Sequence, residues 1–164
     1  MKRKGEILHV AKTSVVTMAP TTDIVNYLGG GEKFKIIQQR FGGNLFKAIN
    51  EPIRLIMTKN VVSVETSAKV GEAIRLMKEN NVGGLPVVDE KNRVRGIITE
   101  RDVAGLFADK ISGVRVAQLM SEKVITALPT TTIFEVAKTM TTQGFRRLPI
   151  ISDSKVIGII TAMD

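Results

Sequence analysis

Two short phrases set a threonine and an aspartate three residues apart: T-E-R-D at 99–102 and T-A-M-D at 161–164. If a helix begins at each threonine, the aspartate returns to the same side after about one turn. Its carboxylate can then accept from ligand hydroxyls, while the threonine hydroxyl and the first free backbone N–H groups face an anion. Arg146-Arg147 is the other feature with chemistry in it, a guanidinium pair suited to bidentate phosphate contact. Each has a plainer reading. Thr-x-x-Asp is also an ordinary N-cap with a first-turn acid favoured by the helix dipole, and adjacent arginines are commonly solvated surface.

The elements that must hold these residues come from an internal repeat. A shift of 63 residues lays Met57 on Met120, Val61 on Val124, Glu72 on Glu135, Met77 on Met140 and Leu85-Pro86 on Leu148-Pro149. A one-residue deletion in the next turn changes the shift to 62, bringing Gly96-Ile97-Ile98-Thr99 onto Gly158-Ile159-Ile160-Thr161 and Asp102 onto Asp164. Two copies of one supersecondary unit are implied, each too small to bury enough surface alone.

The order within each copy is readable. V-V-S-V (61–64) and V-I-T-A (124–127) are β-branched runs and predict strands. Val70, Ala73, Ile74 and Met77 then fall at helical spacing, as do Ile133, Val136, Ala137 and Met140. Thr132 with Glu135 is a capping-box start. Two apolar runs joined by a short polar turn follow in each copy, predicting a hairpin, and V-A-G-L-F after Asp102 opens another helix. Each copy thus reads strand, helix, strand, strand, helix, with helices on one face of a small sheet. Met57, Met77, Met120 and Met140 sit at apolar positions and read as core. Gly96 permits either close backbone approach or close packing.

A decayed third echo precedes them. Residues 15–23 align by Asp23 with the G-I-I-T-x-x-D phrase, the glycine having become Thr17 and the threonine Pro20, and I-L-H-V (7–10) falls on L-P-I-I (148–151). Residues 23–28 would then be a closing helix. Between the echo and the first full copy, Phe34, Ile37, Phe41 and Leu45 form a near-heptad stripe that predicts a helix covering core, interrupted at Gly42-Gly43.

Composition narrows the function classes. The chain has 164 residues, 43% hydrophobic and 24% charged, the composition of a soluble globular protein. It has no cysteine, which excludes disulfides and thiolate chemistry. The N-terminus is basic but carries no sustained apolar core for a signal peptide, and no stretch approaches a membrane span, so a cytoplasmic location is expected. The net charge of +8 favours anionic partners. That surplus is dispersed, with one tyrosine and no tryptophan for base stacking, so nucleic acid is the lesser reading. His9 is the only histidine, with no second metal ligand at the right spacing. There is no G-x-S-x-G phrase and no phosphate loop, since Gly29-Gly30-Gly31-Glu32-Lys33 lacks the spacing. The chain reads as a non-enzyme without a metal.

These segments resemble the cystathionine-β-synthase (CBS) motif, which occurs in tandem pairs called Bateman modules. The resemblance rests on M-T-x-x-V-V (57–62), L-M-S-x-x-V-I (119–125), the paired L-P-V/I-V/I runs and the two G-I-I-T-x-x-D phrases. It covers residues 53–164 well and residues 5–28 weakly. It implies an α/β fold of two CBS motifs packed about a pseudo-two-fold axis, with a partial motif at 1–28, a helical linker at 29–52, a complete motif at 53–110 and a second at 111–164 without its closing helix. It also implies a piece of a longer, multi-motif chain and a homodimer formed through helices.

By the same resemblance such modules are regulatory. They bind AMP, ADP, ATP or sometimes S-adenosylmethionine, with no required cofactor, and act on a regulated protein. The carboxylate is then the ribose acceptor, and the cap doubles as a ligand site. The family's cross-arrangement implies one cleft from Thr99, Arg101, Asp102, Ser121, Val124 and Ile125, with Arg146 and Arg147 over the phosphates. A second would take Thr58, Val61, Val62, Val82, Gly83, Gly84, Thr161 and Asp164. Because F-R-R-L-P-I carries charge where V-G-G-L-P-V carries none, the first cleft is expected to be the stronger. The alternatives are a nucleic-acid-binding protein and a dimerisation module with vacant sites.

Overall fold

The computed structural model describes residues 7–10, 32–106, 111–162 and 164. The third echo at 15–23, its closing helix at 23–28 and the start of the linker lie outside the described residues. Among the described residues the partial motif is represented by β1 (Ile7–His9). The chain divides into two compact units. Unit 1 takes residues up to Leu8, Asn60–Val124 and Asp153–Val156; unit 2 takes His9–Lys59, Ile125–Ser152 and Ile157–Asp164.

Unit 1 is built on a three-stranded sheet, β2 (Val64–Glu65), β3 (Gly84–Val88) and β4 (Val94–Thr99), in that order. The β2–β3 pair is parallel, and β3–β4 is an antiparallel hairpin running from Gly84 opposite Thr99 to Val88 opposite Val94, with a register shift after Val87. Helix α3 (Val70–Glu79) buries Val70, Ala73 and Met77, the one-face spacing predicted. They pack with Val64, Leu85, Val87, Ile98 and Val116, and Val103 and Leu106 lie against that cluster. Pro86 in β3 has no N–H to give. Opposite it, Ile97 sends both backbone groups the other way, to Ser121. The run expected as a strand at 61–64 is corrected: only Val64 and Glu65 join a ladder, and Val61–Ser63 have no strand partner among the described residues.

The β3–β4 turn is held by Asp89. Its carboxylate accepts from the backbone N–H of Lys91 and Arg93, from Arg93 Nε at 2.8 Å and from Arg95 Nη2 at 2.9 Å. Asn92 takes the left-handed conformation (φ 59°) that the turn needs. Partial burial works to raise the Asp89 pKa, but these donors outweigh it and hold the carboxyl well below the usual range. After β4 come α4 (Glu100–Val103), a 3-10 turn and α5 (Val116–Leu119).

Unit 2 contains α1 (Glu32–Arg40), α2 (Leu45–Ile49), α6 (Ile133–Gln143), the strand β6 (Arg147–Ser152) and most of β7 (Lys155–Thr161). The strand β5 (Val124–Thr126) crosses from one unit's range into the other's. Helix α6 begins at the predicted capping box: Thr132 N–H and Oγ1 donate to Glu135 Oε2 at 2.8 and 2.9 Å, and Glu135 N–H returns to Thr132 Oγ1. It ends at Gly144 in the left-handed conformation. The stripe on 34–45 is split as expected. Phe34 and Ile37 of α1 are buried, Gly42 and Gly43 turn the chain with positive φ, and Asn44 caps α2.

Candidate functional site

Each Thr-x-x-Asp phrase sits where a hairpin strand ends. In unit 1 Thr99 closes β4, and its N–H and hydroxyl both donate to Asp102 Oδ2 at 2.7 Å. The cap reading and the ligand reading therefore describe different atoms. Oδ2 belongs to the cap, whereas Oδ1 of this half-buried carboxylate has no hydrogen-bond partner among the described residues. The Thr99 hydroxyl, expected to face an anion, donates to Asp102 in this structure. Helix α4 has only four residues, too short for a macrodipole to matter.

In unit 2 the same cap recurs. Thr161 N–H and Oγ1 donate to Asp164 Oδ2 at 2.7 and 3.0 Å. Here the second oxygen is taken. Lys33 Nζ, from the first turn of α1, stands 2.5 Å from Asp164 Oδ1 and 2.8 Å from Thr58 Oγ1. Phe34 N–H also donates to the Asp164 main-chain oxygen at 3.2 Å. The cleft at this corner, lined among others by Phe34, Val136, Met140 and Asp164, has a cavity volume of about 20 Å³. That is room for a water molecule.

The flanks of the two corners carry the charge difference read from the repeat. Glu100 N–H donates to Gly83 O at 3.2 Å, and Ala162 N–H donates to Arg146 O at 2.9 Å. The backbone bond is the same, with glycine at one corner and arginine at the other.

Unit 1 holds Thr99, Arg101, Asp102, Ser121 and Val124, and also Val61, Val62, Val82, Gly83 and Gly84. Unit 2 holds Thr58, Ile125, Arg146, Arg147, Thr161 and Asp164. Arg101, Ser121, Thr58 and Arg146 are exposed, and Arg147 is half-buried. Val124 (0% exposed) and Ile125 (6%) were expected as cleft wall; their side chains are core instead. Gly84 is likewise buried.

Packing decides the role of the glycines in the G-I-I-T phrases. A Cβ on Gly96 would stand 2.6 Å from Met120 Sδ and 2.8 Å from Ser121 O, and one on Gly158 would stand 2.5 Å from Met57 Sδ. The glycines admit those methionines. His9 is accounted for structurally, its Nδ1 lying 2.8 Å from Thr126 Oγ1. Among the described residues no cluster of three metal-ligating side chains forms, and no helix is long and apolar enough to cross a membrane. Lys33 is the residue that the sequence did not single out.

Comparison with known proteins agrees with this architecture. The chain is 39% identical over 163 residues to an uncharacterized protein of Methanocaldococcus jannaschii, covering 99% of this chain and 58% of the relative. The chain thus spans little more than half the length of that relative. The crystal structure of CBSX2 in complex with AMP superposes with a TM-score of 0.62 at 29% identity, covering 68% of this chain and 90% of that one. A CBS domain pair in complex with 5′-methylthioadenosine and S-adenosyl-L-methionine superposes with a TM-score of 0.61 at 28% identity, covering 68% and 92%. The family model described as CBS domain matches residues 53–109 and 116–164. With both repeats matched in tandem, the chain belongs to the CBS domain family.

Proposed function

We propose that the chain is a regulatory module that binds an adenosine-containing ligand, with its working ribose acceptor at Asp102. The observation that carries this reading is the division of labour within one carboxylate. Oδ2 is fixed by Thr99, so Oδ1 is oriented in advance for hydroxyl donors, which lowers the ordering cost of binding. Two structurally similar CBS pairs were solved with AMP and with 5′-methylthioadenosine and S-adenosyl-L-methionine, which supports the ligand class. Arg146 and Arg147, where the first copy has Gly83 and Gly84, supply guanidinium groups suited to phosphate. Ligand binding regulates through its differential affinity for two states of the protein. A homodimer acting on a partner protein in the cytoplasm completes the reading.

A thermal-shift series with AMP, ADP, ATP, S-adenosylmethionine and GTP, on the wild type and Asp102→Asn, tests it. Ligand at a hundred times its dissociation constant adds about 2.7 kcal/mol, which raises the midpoint by roughly 5–10 °C for a chain of this size. A shift with adenosine ligands that falls by about half or more in Asp102→Asn is expected. No shift with any of them overturns the proposal.

A further inference from the structure

We infer that Lys33 is an intrachain competitor for the ligand position at Asp164, so that the two Thr-x-x-Asp corners differ in affinity because of a residue outside the repeat. The inference rests on the reading of Asp102 as a ribose acceptor and extends it to the copy where the same atom is occupied.

The repeat makes the comparison atom for atom. Asp102 and Asp164 each accept from the N–H and hydroxyl of the threonine three residues earlier, through Oδ2. Only Oδ1 differs. At Asp164 the Lys33 ammonium supplies what a ligand hydroxyl would supply, a donor on the outward oxygen, and adds a positive charge. It also donates to Thr58 Oγ1 at 2.8 Å.

Lys33 is held in place. Phe34, 1% exposed, anchors the same turn of α1 in the cleft beside Val136 and Met140. These are the repeat partners of Ala73 and Met77, members of the unit 1 cluster against which Val103 and Leu106 pack. Asp164 is 11% exposed at its side chain and Lys33 41%. The carboxylate is sheltered while the lysine has solvent to move into, so a ligand can displace the lysine and must compete with it to do so.

Isothermal titration with AMP and with adenosine tests this in the Asp102→Asn background, where the first corner is weakened and the same in every variant, so that a change between Lys33 variants reports the Asp164 corner. Lys33→Met should tighten that residual binding roughly tenfold for both probes, because a donor to the shared oxygen is removed. Lys33→Arg should leave it weak. Residual affinity unchanged by Lys33→Met overturns the inference. So does AMP weakening while adenosine does not move, since Lys33 would then be a phosphate ligand. Absence of residual binding in every variant also overturns it. Equal thermal midpoints for the variants exclude loss of fold as the cause. The parent reading fails separately, if the wild type binds neither probe.

Discussion

Ile97 and Ser121 exchange both of their backbone hydrogen bonds, at 3.0 and 2.8 Å, although they belong to different copies of the repeat. Ile159 and Thr58 do the same, at 2.9 and 2.8 Å. The last strand of each hairpin thus takes its outer neighbour from the segment that introduces the other copy. This pairing brings Met120 over Gly96 and Met57 over Gly158.

The two glycines should tolerate a methyl group unequally. At Gly96 the added Cβ meets backbone as well as a methionine side chain; at Gly158 its three nearest atoms all belong to the flexible Met57. Gly96→Ala should cost about 1–3 kcal/mol and Gly158→Ala distinctly less. Urea midpoints at constant m-value provide the measurement, and equal losses would contradict the packing described.

The two aspartates should also divide in binding. Asp102→Asn removes the charge from a carboxylate whose Oδ1 has no hydrogen-bond partner among the described residues, so AMP affinity should fall by roughly ten- to a hundredfold. Asp164→Asn should change it by less than about threefold, because Lys33 already competes for that oxygen. Titration calorimetry on the two single variants distinguishes them.

Arg146→Ala combined with Arg147→Ala should weaken AMP and ATP while leaving adenosine within about twofold, since guanidinium groups act on phosphate. Nucleic-acid binding predicts a different pattern. Affinity would fall steeply with added salt and ignore Asp102→Asn.

Asp89 gives a pH dependence. Its folded-state pKa is depressed, so the stability it contributes is present above the unfolded value and lost as pH falls through the folded one. Stability should therefore be level near neutrality on this account and decline below about pH 5. Asp89→Asn should remove that part of the decline while lowering stability at neutral pH. Urea midpoints at neutral and acid pH, compared between the two proteins, measure it.

How much of this was legible in the sequence follows from the range of the interactions. The capping box of Thr132 and Glu135, the face of α3 and both hairpins rest on neighbours in the chain, and local pattern reveals them. The Thr-x-x-Asp cap is local too, and it was read, although not which oxygen it would consume. The Val124 side chain is buried, and a β-branched side chain at a strand start reads the same on a wall or in a core. Val61–Ser63 failed as a strand because ladder formation needs an edge that composition does not supply. Lys33 lies 131 residues from Asp164, and a lysine in the first turn of an amphipathic helix carries no mark of its partner.

The crossing of segments at Ile97 and Ile159 bears on ancestry. A single copy of the repeat, before duplication, would have ended its hairpin in a bare strand edge while its own introductory segment lay unused. Two such molecules could satisfy both needs at once by trading those segments. On this view the covalent joining of two copies turned an exchange between neighbours into one within a single chain.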